Sequence, residues 1–134
     1  MSESQRKIIL IITPHIKGGP WQWGKDLTRK LAETGKFQVE HVFTIKDKLL
    51  SPFKFRAQLI HTTNPLAFSF LMKPLILTIH GKIHGNFWKF FYWLGSCRAS
   101  VVTMPSEFLK NSLNIKNAIV IPNAIDISNF SEVK

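Results

Sequence analysis

The chain has 134 residues, of which 45% are hydrophobic, so it is long enough to bury the core of one domain. Its 18 basic residues against 8 acidic ones give a net charge of +10, which favours a phosphate ligand, a nucleic acid or an anionic membrane face as partner. The lone cysteine, Cys97, excludes an internal disulfide, and the lack of a signal peptide or of an apolar run of about 18 residues predicts a cytoplasmic protein.

The first predicted unit is a strand followed by a glycine loop. Residues 8–12 form an almost continuous β-branched run, which is typical of a parallel strand buried on both faces. Gly18 and Gly19 follow, where glycine can take positive φ and a ligand can approach the backbone. Free N–H groups and a helix dipole meet there, and Lys17 adds charge, so the loop is a candidate phosphate site. The alternative is a simple tight turn, because the full GxGxxG and GKS/T patterns are absent.

A helix begins at this loop. Pro20 suits its first turn, and Gly35 is typical of its end. Trp23, Leu27 and Leu31 recur every four residues, which predicts one apolar stripe facing the core.

The rest of the chain repeats the alternation of strand and helix. Further strands are predicted at residues 37–44, 57–61, 75–79, 100–104 and 118–121. Helical segments are predicted at residues 66–72, 86–94 and 106–113, the last with Ser106 as N-cap, while residues 45–56 are predicted to be a loop. We expect Cys97 to be a packing residue. This order predicts an α/β fold, a Rossmann-like parallel sheet of about six strands flanked by helices.

The loops after the predicted strands should form one crevice, because ligands of parallel α/β sheets bind beyond the carboxyl ends of the strands. The crevice is predicted to contain Gly18 and Gly19, residues 61–64, His80 with Gly81, and Ser106.

Five segments in this order carry a resemblance to a known family. They are the first strand with its glycine loop and a helix ending LAETG, LIHTTNP at 59–65, LILTIHG at 75–81, VVTMPSEFLKNSL at 101–113 and AIVIPNAID at 118–126. Together they cover almost the whole chain, which resembles the N-terminal domain of glycosyltransferase family 4, a group of enzymes with the GT-B fold.

The resemblance implies a retaining glycosyltransferase. The enzyme would use a nucleotide-sugar co-substrate, a glycan or lipid-linked acceptor, and no cofactor or metal. Residues 1–126 would be the acceptor-side domain, and residues 127–134 would begin a linker or tail. A C-terminal domain, in the same chain or a separate one, would bind the donor, so the chain is expected to be inactive alone.

The resemblance also implies roles for single residues. His80 matches the histidine beside the reacting sugar, where a neutral imidazole can bind a hydroxyl or move a proton; the alternative is that it only caps a loop. Gly18 and Gly19, with Lys17, match the loop that approaches the donor phosphates. The acceptor side is assigned to Trp21, His61, Asn64, Gly81 and Ser106, although an N-cap role explains Ser106 equally well. Ala124 replaces the glycine that is usual in the family's linker turn.

The aromatic helix predicted at residues 86–94 has its own implications. Its core-facing stripe is predicted to be Phe87, Phe90, Phe91 and Leu94. That leaves Trp88, Tyr92 and Trp93 on the flanks. Flanking aromatics beside Lys82 and Lys89 favour peripheral contact with an anionic membrane at its inner face, which suits a lipid-linked acceptor. The alternative is packing against neighbouring loops or a second domain.

A different class of function fits the same composition. The chain is alternatively a stand-alone binding module, which docks a separate donor subunit or binds phosphate or nucleic acid. Nucleic acid is the weaker partner, because the basic residues are scattered and no nucleic-acid-binding motif is present.

Overall fold

The computed structural model describes residues 7–14, 16, 18–43, 57–65 and 74–123. Several predicted features lie outside these ranges: Lys17, the loop at 45–56, the helical segment at 66–72, and the linker and tail from Ala124 onwards.

The described residues form six strands and three helices that alternate along most of the chain. In chain order they are β1 (Lys7–Ile12), α1 (Gly19–Glu33), β2 (Phe37–Val42), β3 (Leu59–Thr62), β4 (Leu75–Thr78), α2 (Asn86–Arg98), β5 (Val101–Met104), α3 (Glu107–Leu113) and β6 (Ile119–Val120).

All six strands belong to one parallel sheet with the order β2-β1-β3-β4-β5-β6. This confirms the predicted Rossmann-like α/β fold. The run of residues 9–12 in β1 is buried throughout, as expected for a strand with neighbours on both sides and helices on both faces. Burial of each of these side chains stabilises the fold by about 1.5–3 kcal/mol.

The two faces of the sheet carry different side chains: one face is mostly apolar, and the other carries two histidines. Side chains alternate along each strand, so Leu10 and Ile12 point to the face that packs against α2 and α3. Ile11 points to the other face and is aligned with His41 on β2 and with His61 on β3. Helix α1 covers this second face, where its aromatic side chains contact both histidines.

Helix α1 follows the prediction at its ends and departs from it in the middle. Pro20 lies in its first turn, and Gly35 follows the C-cap with φ of 67°. The predicted stripe of Trp23, Leu27 and Leu31 is only half-buried, and the buried residue is Gly24. A glycine at this position lets the helix approach the sheet closely, and apolar periodicity carries no signal for it.

The predicted core stripe of α2 is wrong at Phe87 and Phe90, whereas its other two members, Phe91 and Leu94, are half-buried. Phe87 and Phe90 are 62% and 55% exposed. The helix instead turns Tyr92, Gly95 and Ala99 towards the sheet. Gly95 and Ala99 are small and let the helix approach the sheet closely. Because the helix is aromatic on all sides, apolar periodicity does not identify this face. Among the described helices, none has the length and apolar character to cross a bilayer.

Helix α3 confirms the predicted N-cap. The Ser106 hydroxyl accepts a hydrogen bond of 3.2 Å from the backbone N–H of Leu109. Such a cap stabilises a helix by about 1 kcal/mol.

Candidate functional site

A pocket of about 500 Å³ lies beyond the carboxyl ends of β1, β3 and β4. Its walls are residues 63–65 after β3, residues 80–84 after β4, Trp88 and Tyr92 of α2, and Pro20 of α1. This is the edge where parallel α/β sheets bind ligands. The pocket combines apolar walls with a few polar groups, as small-molecule sites do.

His80 forms part of the wall of this pocket. Its ring meets the Trp23 ring of α1 nearly edge to face, with 4.8 Å between centroids. Burial lowers the pKa of His80 from its ordinary value, so the imidazole is neutral at neutral pH. Its Nε2 atom is buried and has no hydrogen-bond partner among the described residues.

Thr63 brings a second unsatisfied polar atom to the same pocket. Its Oγ1 is buried and lacks a partner within the described ranges. Its carbonyl accepts a hydrogen bond of 3.2 Å from the Tyr92 hydroxyl. Buried polar atoms are normally paired, and exceptions often mark a functional site. Two such atoms, both at residues lining one pocket, mark this part of the described chain as a candidate functional site.

His61 lies behind the pocket and is not part of its wall. Its Nε2 is 2.7 Å from the Thr78 hydroxyl, which is 2.6 Å from the Thr103 hydroxyl on the next strand. The Trp23 ring is 4.9 Å from the His61 ring, so Trp23 contacts both histidines. Burial, with a smaller contribution from the charge of His80, lowers the pKa of His61 to about 4. His61 is therefore a neutral residue that holds Trp23 and the strand ends in place.

Two residues assigned to the acceptor side, Asn64 and Gly81, line the pocket beside His80. Lys82, in the loop after β4, also lines the pocket and is exposed, so this loop adds one positive charge to the pocket. An amide, an imidazole and an ammonium group so arranged suit a ligand with hydroxyl or phosphate groups.

Gly18 and Gly19 lie at the start of α1, next to the pocket wall formed by Pro20. The expected positive φ is not found: Gly18 is extended, with φ of −178°, and Gly19 begins the helix. Both are exposed and have open space around them. Phosphate contact at these amides stays a prediction.

The structure places Trp21 and Ser106 apart from the pocket. Trp21 packs against Phe43, 6.2 Å between centroids, and the Lys25 ammonium lies 5.5 Å from the Trp21 ring centroid. The Ser106 hydroxyl caps α3. His41 of β2 is half-buried beside Trp21, and its Nε2 lies 2.8 Å from the Thr13 hydroxyl.

The sequence predicted Thr63 only as part of the crevice loop at 61–64, and Trp88 and Tyr92 were not predicted as pocket residues. A usable signal was present for two of them. Trp88 and Tyr92 are four residues apart and share a helix face with Gly95, the small residue that marks the side facing the sheet. Thr63 lies within the predicted loop at 61–64, but its buried hydroxyl depends on tertiary packing.

Comparison of the sequence with protein-family models and with curated proteins gives no match. Within the described part of the chain, no three His, Cys, Asp or Glu side chains are grouped in a way that would hold a metal ion.

The Tyr92 hydrogen bond gives a stability prediction. Tyr92→Phe removes the hydroxyl that the Thr63 carbonyl accepts from, so the free energy of unfolding should fall by about 1 kcal/mol in urea titration. Ser96→Ala is the control, because the Ser96 hydroxyl bonds locally to the Tyr92 carbonyl within α2. It should stay within about 0.5 kcal/mol of wild type. Equal stability of Tyr92→Phe and wild type would show that the bond contributes nothing.

Proposed function

We propose that this chain is the acceptor-binding half of a glycosyltransferase, which transfers a sugar from a nucleotide-sugar donor to a glycan or lipid-linked acceptor. The observation that carries the proposal is the pair of unsatisfied buried atoms, His80 Nε2 and Thr63 Oγ1, at one pocket beyond the strand ends. These residues belong to two of the five segments, LILTIHG and LIHTTNP, that resemble family 4 glycosyltransferases.

The chemistry of the pocket suits a hydroxyl nucleophile. In the proposed transfer, the acceptor oxygen bonds to the anomeric carbon of the donor sugar. The bond from that carbon to the diphosphate oxygen breaks, and the nucleoside diphosphate leaves with its electron pair and takes up the proton of the acceptor hydroxyl. A neutral imidazole such as His80 can accept a hydrogen bond from the hydroxyl, which a protonated imidazole cannot.

The remaining walls support the same acceptor class. Trp88, Ile83 and Pro65 offer apolar surface for the carbon face of a sugar ring or for the start of a lipid chain. Lys82 offers a cation for a phosphate next to the sugar. The donor is expected to come from a second domain, towards which Gly18 and Gly19 would present their amides.

The test is a transfer assay on the protein expressed from its complete reading frame, with radiolabelled UDP- and GDP-hexoses and with glycan and lipid-phosphate acceptors. His80→Asn should lower the rate of transfer about 10- to 100-fold, because a hydrogen bond to the reacting hydroxyl is lost. Lys36→Gln, an exposed change in the turn between α1 and β2, should leave the rate unchanged.

The melting temperatures of both variants are measured as well, to check that each variant keeps the wild-type fold. The proposal would be overturned if no donor gave either sugar transfer or donor hydrolysis. Saturable acceptor binding without transfer would identify a binding module instead.

A further inference from the structure

Helix α2 exposes four large aromatic side chains, which we call the aromatic face: Phe87 (62% exposed), Trp88 (42%), Phe90 (55%) and Trp93 (59%). Their rings contact one another in pairs, Phe87 with Trp88 at 5.6 Å and Phe90 with Trp93 at 6.0 Å between centroids. The half-buried Phe91 ring joins the two pairs, at 4.8 Å from Phe87 and 5.5 Å from Phe90. The face is therefore one contiguous apolar surface. Surfaces of this kind on a soluble domain mark an interaction site.

The charged side chains of α2 and of the loop that precedes it are all basic. Helix α2 spans 13 residues without an acidic side chain and carries Lys89 and Arg98. Lys82 is exposed in the loop before the helix, and the whole chain has a net charge of +10. Aromatic rings flanked by lysines fit the headgroup level of a bilayer, where the rings enter the interface and the ammonium groups meet anionic lipid.

The position of the aromatic face connects it to the candidate site. Trp88 lies at the edge of the face, where α2 turns towards the sheet, and it also lines the pocket that contains His80. Trp93, also on the face, lines a second cavity of about 370 Å³ between α2 and α3. A partner with a flat surface that bound the aromatic face would therefore also cover the protein surface next to the pocket opening.

We propose that the aromatic face docks the chain onto the interface of an anionic bilayer, with α2 lying along the surface. The docked orientation brings the pocket to the height of the lipid headgroups. That the pocket then meets a lipid-linked acceptor rests on the proposed function, whereas docking itself does not.

Cys97 supplies a reporter at the right place. It was expected to be a packing residue, but it is exposed and lies four residues after Trp93, on the same side of α2. Because it is the sole cysteine, a polarity-sensitive thiol dye labels it selectively. Docking should shift the dye emission to shorter wavelength as the face enters the interface.

The experiment uses the 134-residue chain with vesicles of phosphatidylcholine alone and of phosphatidylcholine mixed with phosphatidylglycerol. Co-sedimentation of unlabelled protein and emission of the Cys97-labelled protein are measured together. We expect binding and a dye shift with the anionic vesicles, and much weaker binding with the neutral ones. Phe87→Ser combined with Phe90→Ser should lower the partition coefficient at least about tenfold, because two rings no longer enter the interface. Lys89→Gln should lower it about fivefold.

Matched controls separate docking from general effects. Ile119→Thr changes an exposed apolar side chain on β6; Ile119 is aligned with Thr103, so it lies on the opposite face of the sheet from α2. Lys36→Gln removes one exposed charge at the far edge of the sheet. Both should keep nearly the wild-type partition coefficient. Circular dichroism melts confirm that the serine variant is folded.

Three outcomes would overturn docking: equal binding to both vesicle types, binding to neither, or wild-type binding by the serine variant. Transfer to a water-soluble glycan separates the two proposals. In the protein expressed from its complete reading frame, the two serine substitutions should leave the rate of this transfer at the wild-type value if the proposed function holds, whether or not docking occurs. Vesicle binding without any sugar transfer would support the docking proposal and overturn the proposed glycosyltransferase function.

Discussion

Replacing Gly24 with alanine should lower the free energy of unfolding by about 2 kcal/mol, although alanine is the better helix former. Gly24 is buried in α1 against the sheet. A Cβ there would collide with Cγ2 of Thr13 and lie 3.0 Å from Nε2 of His41. Thr13 is fully buried and its hydroxyl is 2.8 Å from His41 Nε2, so neither side chain can move aside cheaply. The gain in helix propensity, about 1 kcal/mol, is smaller than the cost of overpacking.

Two variants test this explanation by urea titration. Gly19→Ala adds the same methyl group at the start of α1, where nothing lies within 4 Å, and should not destabilise the fold. Thr13→Ser removes Cγ2 and keeps the hydroxyl. Combined with Gly24→Ala it should restore part of the lost stability, which a double-mutant cycle measures as coupling between the two sites. A Gly24→Ala protein as stable as wild type would mean that the collision is relieved by a small shift of the helix.

The fold could be predicted from the sequence because its signals are local. The β-branched run of β1 and the turn residues between elements indicate strands and helices one at a time. Alternation then implies a parallel sheet, and the parallel sheet implies the edge where a pocket forms. His80, Asn64 and Gly81 were placed at this pocket by that chain of inference alone.

What could not be predicted depends on which side of an element faces the core. Helix α2 is aromatic all round, and the choice of Tyr92 over Phe90 as a core residue follows from Gly95 and Ala99, which let the helix approach the sheet. The placement of His61 behind His80 depends in the same way on tertiary contacts with Trp23. Neither contact has a spacing pattern in the chain.

The histidines and Trp23 form one layered contact between the sheet and α1. Trp23 meets both rings nearly edge to face, at 4.9 Å from His61 and 4.8 Å from His80. Both pKa values are lowered by burial, and a charge on His80 would lower that of His61 further. The contact is therefore built for two neutral rings, and protonation of either one works against folding.

Acidification should destabilise the protein between pH 6.5 and about 4, and most of the effect should come from His61. In that window the unfolded state binds a proton at His61 while the folded state does not, so the free energy of unfolding falls as the pH falls. The full loss is about 3 kcal/mol, since each unit of pKa difference corresponds to about 1.4 kcal/mol. Below about pH 4 the folded His61 also protonates, and its contribution levels off. The lowered pKa of His80 acts in the same direction.

Urea titrations from pH 7.5 to 4 check this, with His61→Gln as the decisive variant because an amide can still bond to the Thr78 hydroxyl without titrating. The slope of stability against pH should be clearly shallower in His61→Gln than in wild type. Ile119→Thr, an exposed change of a residue that does not titrate, should keep the wild-type slope. Should His61→Gln fail to fold, the imidazole carbon shifts of wild-type His61 measured by NMR against pH report its pKa directly. Superimposable slopes, or a His61 pKa near 6.5, would show that the buried ring accepts a proton without cost.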